Sequence, residues 1–177
     1  AVLATVTLDR GLDKWFSDRT KSMLEKSNIV ANSYLREHSN NLRAEIDAMK
    51  SDLGRAVIIY EDNISNFADF FLKQVKLRKL SGAYIINSDG DILINTSTPD
   101  YELGYSVPST LSYNRAVEGD IIIFKPNDYN MVSAFALLEE FNNAYLLIYK
   151  RVDPIVINHL KQLELTTSDY KNLENRR

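Results

Sequence analysis

The sequence predicts an α+β fold, in which helices precede and follow a single antiparallel sheet of five strands. Three observations predict it. A long helical pattern opens the chain, the spacing of apolar residues changes to alternation after Gly82, and a helix that starts with a proline closes the chain. With 177 residues, of which 45% are hydrophobic, the chain can build one core of ordinary domain size. We therefore expect one sheet-based core between two helical segments.

The first predicted element is a long N-terminal helix over residues 1–55. Between positions 6 and 53 there is no proline and a single glycine, Gly11, and apolar residues recur at steps of three and four. Because the rest of the chain is too small to cover so long an apolar stripe, we expect part of it to pair with a second copy. The alternative is a helix that lies along its own domain. The residues assigned to the dimer seam are Leu35, Leu42 and Met49.

Residues 56–152 are the predicted core. A short apolar segment leads into a second helix, for which Ser65 or Asn66 could supply the N-cap. Two strands then flank Asp89-Gly90, a dipeptide typical of tight hairpin turns. A long connection with a short helical stretch follows, and it leads to three more runs rich in β-forming residues. These runs are residues 120–125, 131–138 and 144–150.

Residues 153–177 are predicted to form a C-terminal helix that leaves the core. Asp153 is a favourable N-cap residue, and Pro154 suits the first helical position, where a missing N–H does no harm. The complete order of elements indicates a PAS/Cache-like domain, in which helices and a long loop cover the sheet. Such a sheet leaves a pocket beneath the loop, where a small molecule can bind.

The long connection carries the residues that we consider first for a ligand site. Several tyrosines lie on or beside it, together with a guanidinium and an ammonium group, and these could converge on a ligand that bears a carboxylate. In the alternative interpretation the rings only pack and the charges are solvated. The residues assigned to ligand binding are Tyr101, Tyr105, Arg115, Lys125 and Tyr129, with Tyr113 beside them.

Composition and motifs exclude several classes of function. The 21 basic residues against 24 acidic ones give a net charge of -3 without a dense basic block, so we expect no nucleic-acid partner. The chain has no cysteine, which excludes disulfides and thiolate chemistry. It has no glycine-rich phosphate loop, and neither His38 nor His159 has a second histidine four residues away. We therefore expect no catalytic residue, no metal and no cofactor in this chain, which is then not an enzyme by itself.

Five runs carry a resemblance to a known family. They are Thr7 to Arg19 at the start, Ala31 to Leu35 in the first helix, Ala83 to Gly90 at the hairpin, Arg151 to Pro154 before the last helix, and Tyr170 to Arg177 at the end. Along essentially its whole length, the chain resembles the extracytoplasmic region of NtrY-type nitrogen-regulation sensor histidine kinases. The resemblance implies a periplasmic sensor domain of a bacterial inner-membrane protein that forms a homodimer. It also implies that the full-length protein is an ATP-dependent protein histidine kinase, which uses ATP and Mg and signals to an NtrX-like response regulator.

From this resemblance we expect a signal-sensing domain with a possible small-molecule ligand. Its exit helix, which begins at Asp153 and Pro154, would move relative to the first helix, with a coupling free energy of about 1–3 kcal/mol. One alternative is a structural module for dimerisation or partner binding that has no small ligand. Another is the input domain of a chemoreceptor or cyclase, because a fold does not determine the output to which it is joined.

Overall fold

The structure is a computed structural model that describes residues 30–96 and 102–160. It divides into two compact units. Residues 37–154 form the larger unit, and residues 30–36 and 155–160 belong to the smaller one. The sheet and the elements that cover it all lie in the larger unit. Features predicted at positions 1–29, 97–101 and 161–177 lie outside the described residues.

The helices follow the predicted order with one addition, because the apolar segment predicted before the second helix forms a short helix of its own. Helix α1 comprises residues 30–55, and α2 (Val57–Asp62) and α3 (Ile64–Leu77) come directly after it. The long connection contains α4 (Thr110–Val117), and α5 starts at Pro154 and is described to position 160. The predicted N-terminal helix is thus confirmed from position 30 onward. In the parts of the chain that the structure covers, no helix has both the length and the apolar character that crossing a membrane requires.

The N-cap of α3 is Asn63, so the prediction of Ser65 or Asn66 was wrong. The Asn63 side-chain oxygen accepts hydrogen bonds from the backbone N–H groups of Ser65 at 3.0 Å and Asn66 at 3.3 Å. These bonds satisfy two of the N–H groups that a helix start leaves open. The start of α3 is difficult to locate from the sequence, because the apolar residues of α2 and Ile64 continue the helical pattern across Asn63, where one helix ends and the next begins.

The five predicted strands form a single antiparallel sheet. β1 (Gly82–Ile86) and β2 (Ile92–Asn95) make the predicted hairpin, and β3 (Ile122–Phe124), β4 (Met131–Leu137) and β5 (Tyr145–Arg151) follow α4. Their order in space is β2-β1-β5-β4-β3, and each neighbouring pair is antiparallel. The predicted α+β, PAS/Cache-like class is confirmed.

The turn between β1 and β2 is organised by Asn87. Its side-chain oxygen accepts hydrogen bonds from the backbone N–H groups of Asp89 at 3.0 Å and Asp91 at 2.9 Å. Gly90 has a φ of +85°, which glycine adopts without a steric penalty. The turn is therefore fixed by its own residues, and its carbonyl oxygens are available to the loop described below.

One face of the sheet lies under α1. His38 of α1 forms a hydrogen bond with the backbone of Lys150 in β5, and Arg43 donates to the carbonyl oxygen of Ile121 at 3.3 Å, just before β3. The helix therefore crosses the sheet from β5 to β3. The fully buried residues that alternate onto this face include Ala83, Ile85, Ala134, Leu146 and Ile148, and those of α1 are Leu42, Ile46, Met49 and Leu53.

An arginine joins α1 to the end of α3. The guanidinium of Arg78 donates to Glu45 Oε2 at 3.0 Å and to Asp52 Oδ2 at 2.5 Å, and its Nε donates to Gln74 Oε1 at 3.2 Å. The Arg78 side chain is 15% exposed. These contacts fix the end of α3 against α1 on the helix-covered side of the core.

Candidate functional site

The other face of the sheet is the candidate functional site, and we call it the tyrosine face. Side chains that alternate onto it pack against Leu103 of the long connection and Ala116 of α4, both of which are buried. The Tyr84 and Tyr149 rings meet edge to face with their centroids 5.6 Å apart, and the Phe135 and Tyr145 rings stack at 5.4 Å, two arrangements that favour aromatic pairs. The tyrosine face consists of Tyr84, Ile86, Met131, Ser133, Phe135, Tyr145, Leu147 and Tyr149.

Two tyrosines fasten the long connection to the β1–β2 turn. The Tyr105 hydroxyl donates to the carbonyl oxygen of Gly90 at 2.5 Å, and the Tyr113 hydroxyl donates to that of Asn87 at 2.8 Å. Burial is the main cause that raises the pKa of both phenols, and for Tyr113 the value is about 12. Both hydroxyls therefore stay protonated at neutral pH and remain hydrogen-bond donors.

The start of the connection is held at the opposite end of the sheet. Asn127 Nδ2 donates to the carbonyl oxygen of Leu103 at 2.8 Å. Gly104, with a φ of +71°, lies so close to the Tyr129 ring that a Cβ atom there would clash. A Cβ atom on Gly82 would come within 2.5 Å of Leu103 Cδ1. The connection therefore rests directly on the sheet at this point.

Three hydroxyl groups belong to residues buried on the tyrosine face. Ser133 and Tyr149 are directly opposite each other in β4 and β5, and Tyr145 lies four residues before Tyr149 on the same side of β5. They are 7%, 3% and 6% exposed, respectively. The pKa of Tyr149 is raised, mainly by burial and additionally by the neighbouring Tyr84 and Tyr105. Its hydroxyl is therefore protonated at neutral pH.

The structure brings only part of the predicted ligand site to this face. Tyr105 and Tyr113 reach it, but Arg115 lies on the exposed side of α4, where its Nε is 3.3 Å from Asp120 Oδ2. Lys125 is exposed, and the Tyr129 ring covers Gly104 at the edge of the loop. Tyr101 lies outside the described residues. The predicted cations therefore do not face the buried tyrosines.

Sequence reasoning missed the strand residues that form the centre of the face. Tyr145 and Tyr149 are four positions apart in one strand, and a strand places such residues on the same side. Tyr84 joins them because β1 pairs with β5, with Tyr84 opposite Leu147. The spacing of Tyr145 and Tyr149 is visible in the sequence. The position of Tyr84 beside them depends on the register between β1 and β5, which the sequence does not show.

The three residues predicted to form the dimer seam differ in how they are buried. Leu42 and Met49 have no exposed surface in the single chain, so their side chains offer nothing for a second copy to contact. Leu35 is half-buried and belongs to the smaller unit. The long stripe is therefore covered by the chain's own core at Leu42 and Met49.

The predicted signal exit follows the central strand. β5 ends at Arg151, the N–H of Val152 donates to the carbonyl oxygen of Asn130 at 2.8 Å, and α5 begins at Pro154 after the exposed Asp153. The strand paired on both sides thus continues into the last helix after two residues.

The fold and its site define a class of protein. A five-stranded antiparallel sheet, with a long helix on one face and a tyrosine-fastened connection on the other, is a PAS/Cache-like α+β domain. The family model described as the NtrY N-terminal region matches residues 1–177. The chain therefore belongs to the NtrY N-terminal region family.

Individual relatives agree with this assignment. The chain is 38% identical over 177 residues to the nitrogen regulation protein NtrY of Azorhizobium caulinodans, a match that covers 100% of the chain and 23% of that protein. It is 25% identical over 178 residues to a protein of Rickettsia conorii named as an NtrY-like sensor histidine kinase, covering 99% of the chain and 29% of the relative. The chain thus spans about a quarter of the length of the curated relatives that it matches.

Proposed function

We propose that this chain is the extracytoplasmic signal-sensing domain of a membrane-bound, two-component sensor histidine kinase that acts in nitrogen regulation. The observation that carries the proposal is the family match over the whole chain, together with relatives whose names denote nitrogen regulation and sensor kinases. The fold supports a sensory role because one sheet face carries buried tyrosines and is covered by a connection that hydrogen bonds fasten to the β1–β2 turn. In this proposal the chain lies in the periplasm of a bacterial inner-membrane protein.

The catalytic parts belong to the rest of the full-length protein. We propose that it is an ATP-dependent protein histidine kinase, which uses ATP and Mg and phosphorylates an NtrX-like response regulator. The role of this domain is to bias the kinase: binding at the tyrosine face shifts β5, and Asp153 and Pro154 pass the shift to the last helix. Nothing in this role requires a metal, a cofactor or nucleic acid in this chain.

We also propose that the protein is a homodimer, with a contact that differs in part from the predicted seam. Leu42 and Met49 are used by the core, but Val30 is 67% exposed, and Tyr34, one helical turn later, is also exposed. Residues spaced by four lie on the same side of a helix, so Val30 and Tyr34 form an apolar strip beside Leu35. This strip is the surface that we assign to the second copy.

A kinase assay with the full-length protein in membrane vesicles tests the sensory role. Ala116 of α4 is fully buried against the tyrosine face, so Ala116→Leu should displace the connection. We expect phosphate incorporation from ATP to change by about fivefold or more, which corresponds to a coupling of about 1 kcal/mol. The control is Val117→Leu, on the exposed side of the same helix. Equal kinase output from Ala116→Leu and Val117→Leu would favour a structural dimerisation module instead.

The proposed location can be tested with a single thiol, because the chain has no cysteine of its own. Ser88 is exposed in the β1–β2 turn, so Ser88→Cys provides an accessible label site. A membrane-impermeant maleimide added to spheroplasts should label Ser88→Cys fully, as it does after the cells are lysed. The unsubstituted protein controls for thiols elsewhere in the full-length protein. Labelling that requires lysis would place the domain on the cytoplasmic side.

A further inference from the structure

We propose that α2 and the start of α3 form a docking surface for a cationic amphipathic segment of another protein. The surface, which we call the isoleucine patch, consists of Ile58, Ile59 and Ile64. The inference goes beyond the proposed sensory function and does not depend on it. Three features of the described residues carry it: exposed apolar side chains, an anchor that holds them in place, and a rim of one charge sign.

The first feature is a helix that buries none of its residues. Four of the six residues of α2 are apolar, and yet none of them is buried. Ile58 is 72% exposed and Ile59 is 41% exposed, while Ile64, the first residue of α3, is 59% exposed. A surface helix normally turns its apolar side toward the core. Single exposed apolar residues are common in soluble proteins, but three large ones this close in the chain are typical of an interaction surface.

The second feature is the anchor that holds α2 in place. The Tyr60 ring packs edge to face on Phe67 of α3 and on Phe141 of the β4–β5 turn, at centroid distances of 5.1 and 5.0 Å. Because a helix has about 3.6 residues per turn, Ile58 lies on the side of α2 opposite Tyr60. Asp62, four residues after Ile58, lies on that same outer side. The apolar side of α2 is therefore held outward by the packing of the fold.

The third feature is charge. From position 56 to position 72 the chain has three acidic residues and no basic one. Two of them, Glu61 and Asp62, are exposed on α2 itself. The β4–β5 turn, which contacts α2 through its aromatic residue, adds the exposed Glu139 and Glu140. The rim of the isoleucine patch is therefore acidic.

The basic residue that directly precedes α2 does not offset this charge. The guanidinium of Arg55 donates to Asp52 Oδ1 at 2.6 Å, within α1. The Glu140 carboxyl group lies against Gly54, so close that a Cβ atom there would clash with it. That contact brings the acidic turn to the junction between α1 and α2.

Charge and area decide what can cover the isoleucine patch. A second copy related by two-fold symmetry would bring like charges together, because such an interface uses the same surface on both partners. The three isoleucines together expose less than two fully exposed isoleucines would, far below the ~800 Å² per partner of a standard interface. A patch of this size suits a short helical segment, with apolar side chains on the isoleucines and lysine or arginine at the acidic rim.

Two peptides that differ only in charge test the proposal. The whole 177-residue chain is titrated into a labelled amphipathic helical peptide of leucine and lysine, or into the same peptide with glutamate in place of each lysine. Fluorescence anisotropy measures binding. We expect the lysine peptide to bind at least tenfold more tightly than the glutamate peptide. Its affinity should fall as the salt concentration rises, because screening weakens the attraction between exposed charges.

Variants assign the binding to the isoleucine patch. Ile58→Gln removes its most exposed apolar side chain, and Asp62→Asn removes a charge on the same side of α2, so each should weaken the lysine peptide at least threefold. The end of α4 supplies matched controls, because it also has an exposed apolar residue and an exposed acidic one. Val117→Gln and Glu118→Gln should leave the affinity unchanged. All four positions are exposed, so the Tm of each variant should stay near that of the unsubstituted chain.

Several results would overturn the inference. They are no binding of the lysine peptide, equal binding of the two peptides, or the same affinity in Ile58→Gln and Val117→Gln. Self-association in sedimentation experiments that Ile58→Gln abolishes would also overturn it, because the patch would then hold a second copy. None of these results bears on the sensory proposal, which depends on the kinase output of Ala116→Leu.

Discussion

Arg78 joins two helices through one guanidinium group, and its energetic contribution follows from burial. The group contacts Glu45 and Asp52, and the Arg78 side chain is 15% exposed. Arg55 contacts the same Asp52 at 2.6 Å, but its side chain is 77% exposed. The two arginines therefore share a partner and differ in environment, so they form a matched pair for mutation.

We expect Arg78→Ala to lower the free energy of unfolding by about 2 kcal/mol, because it leaves two partly buried carboxylates without their shared cation. Arg55→Ala should cost less than about 0.5 kcal/mol, since exposed ion pairs contribute little. Urea unfolding of both variants measures the difference. Equal losses would contradict the assignment of Arg78 as the residue that fastens α3 to α1.

His38 makes stability depend on pH. Burial, and then the positive charge of Lys150, lower the pKa of His38 below its usual 6.5, while a hydrogen bond to the Lys150 backbone acts in the opposite direction. The unfolded chain therefore takes up this proton at a higher pH than the folded chain. Unfolding free energy should therefore fall as the pH decreases through the range around 6.5 in which the unfolded histidine takes up its proton, and His38 should have no effect on it well above that range.

Urea unfolding between about pH 5.5 and 7.5, the range in which an unfolded histidine titrates, tests this dependence. In His38→Gln the decline below pH 6.5 should be smaller than in the unsubstituted chain, because the variant has no proton to take up at this position. The same decline in both proteins would show that another group causes it.

At the scale of elements, the start of α3 is the point at which a single side chain organises a helix. Asn63→Ala removes both cap hydrogen bonds and should cost about 1 kcal/mol of stability. Asn66→Ala, three residues later, retains the Asn63 cap and serves as the control. Chemical denaturation distinguishes the two variants. A loss of stability in Asn66→Ala alone would show that Asn66, as the sequence suggested, is the N-cap.

At the scale of the whole molecule, Leu42 distinguishes a core residue from a seam residue. It is fully buried in the single chain. We expect Leu42→Ala to lower the free energy of unfolding by about 2–5 kcal/mol, as large-to-small changes in cores do. The loss should be the same at every protein concentration, because it does not involve association. A loss of stability that grows with protein concentration would show instead that Leu42 contributes to the dimer contact.

The sequence was most informative where a local rule decided the structure. Asp89-Gly90 predicted the hairpin, Pro154 predicted the start of the last helix, and alternation predicted five strands, because each of these signals acts within a few residues. The sequence did not indicate which partner covers an apolar surface. Leu42 has the same pattern whether a second copy or its own sheet lies over it.

The candidate site was harder to predict for the same reason. Tyr105 and Tyr113 lie in the long connection to which the sequence drew attention, whereas the Arg115 side chain is exposed and the next residue, Ala116, takes the inward position on α4. Ser133 and Tyr149 became neighbours only through the pairing of β4 with β5. Register between strands, more than composition, determined which side chains share the face.

The position of β5 limits the kinds of motion that the domain can deliver. It pairs with β1 along Gly82–Ile86 and with β4 along Met131–Leu137. Sliding by one residue would break both ladders and move Tyr149 to the face that Ile148 now occupies. A displacement of this strand along its own axis would therefore disrupt the sheet, so the signal that we propose to leave through Pro154 would be a tilt or a rotation of the whole sheet.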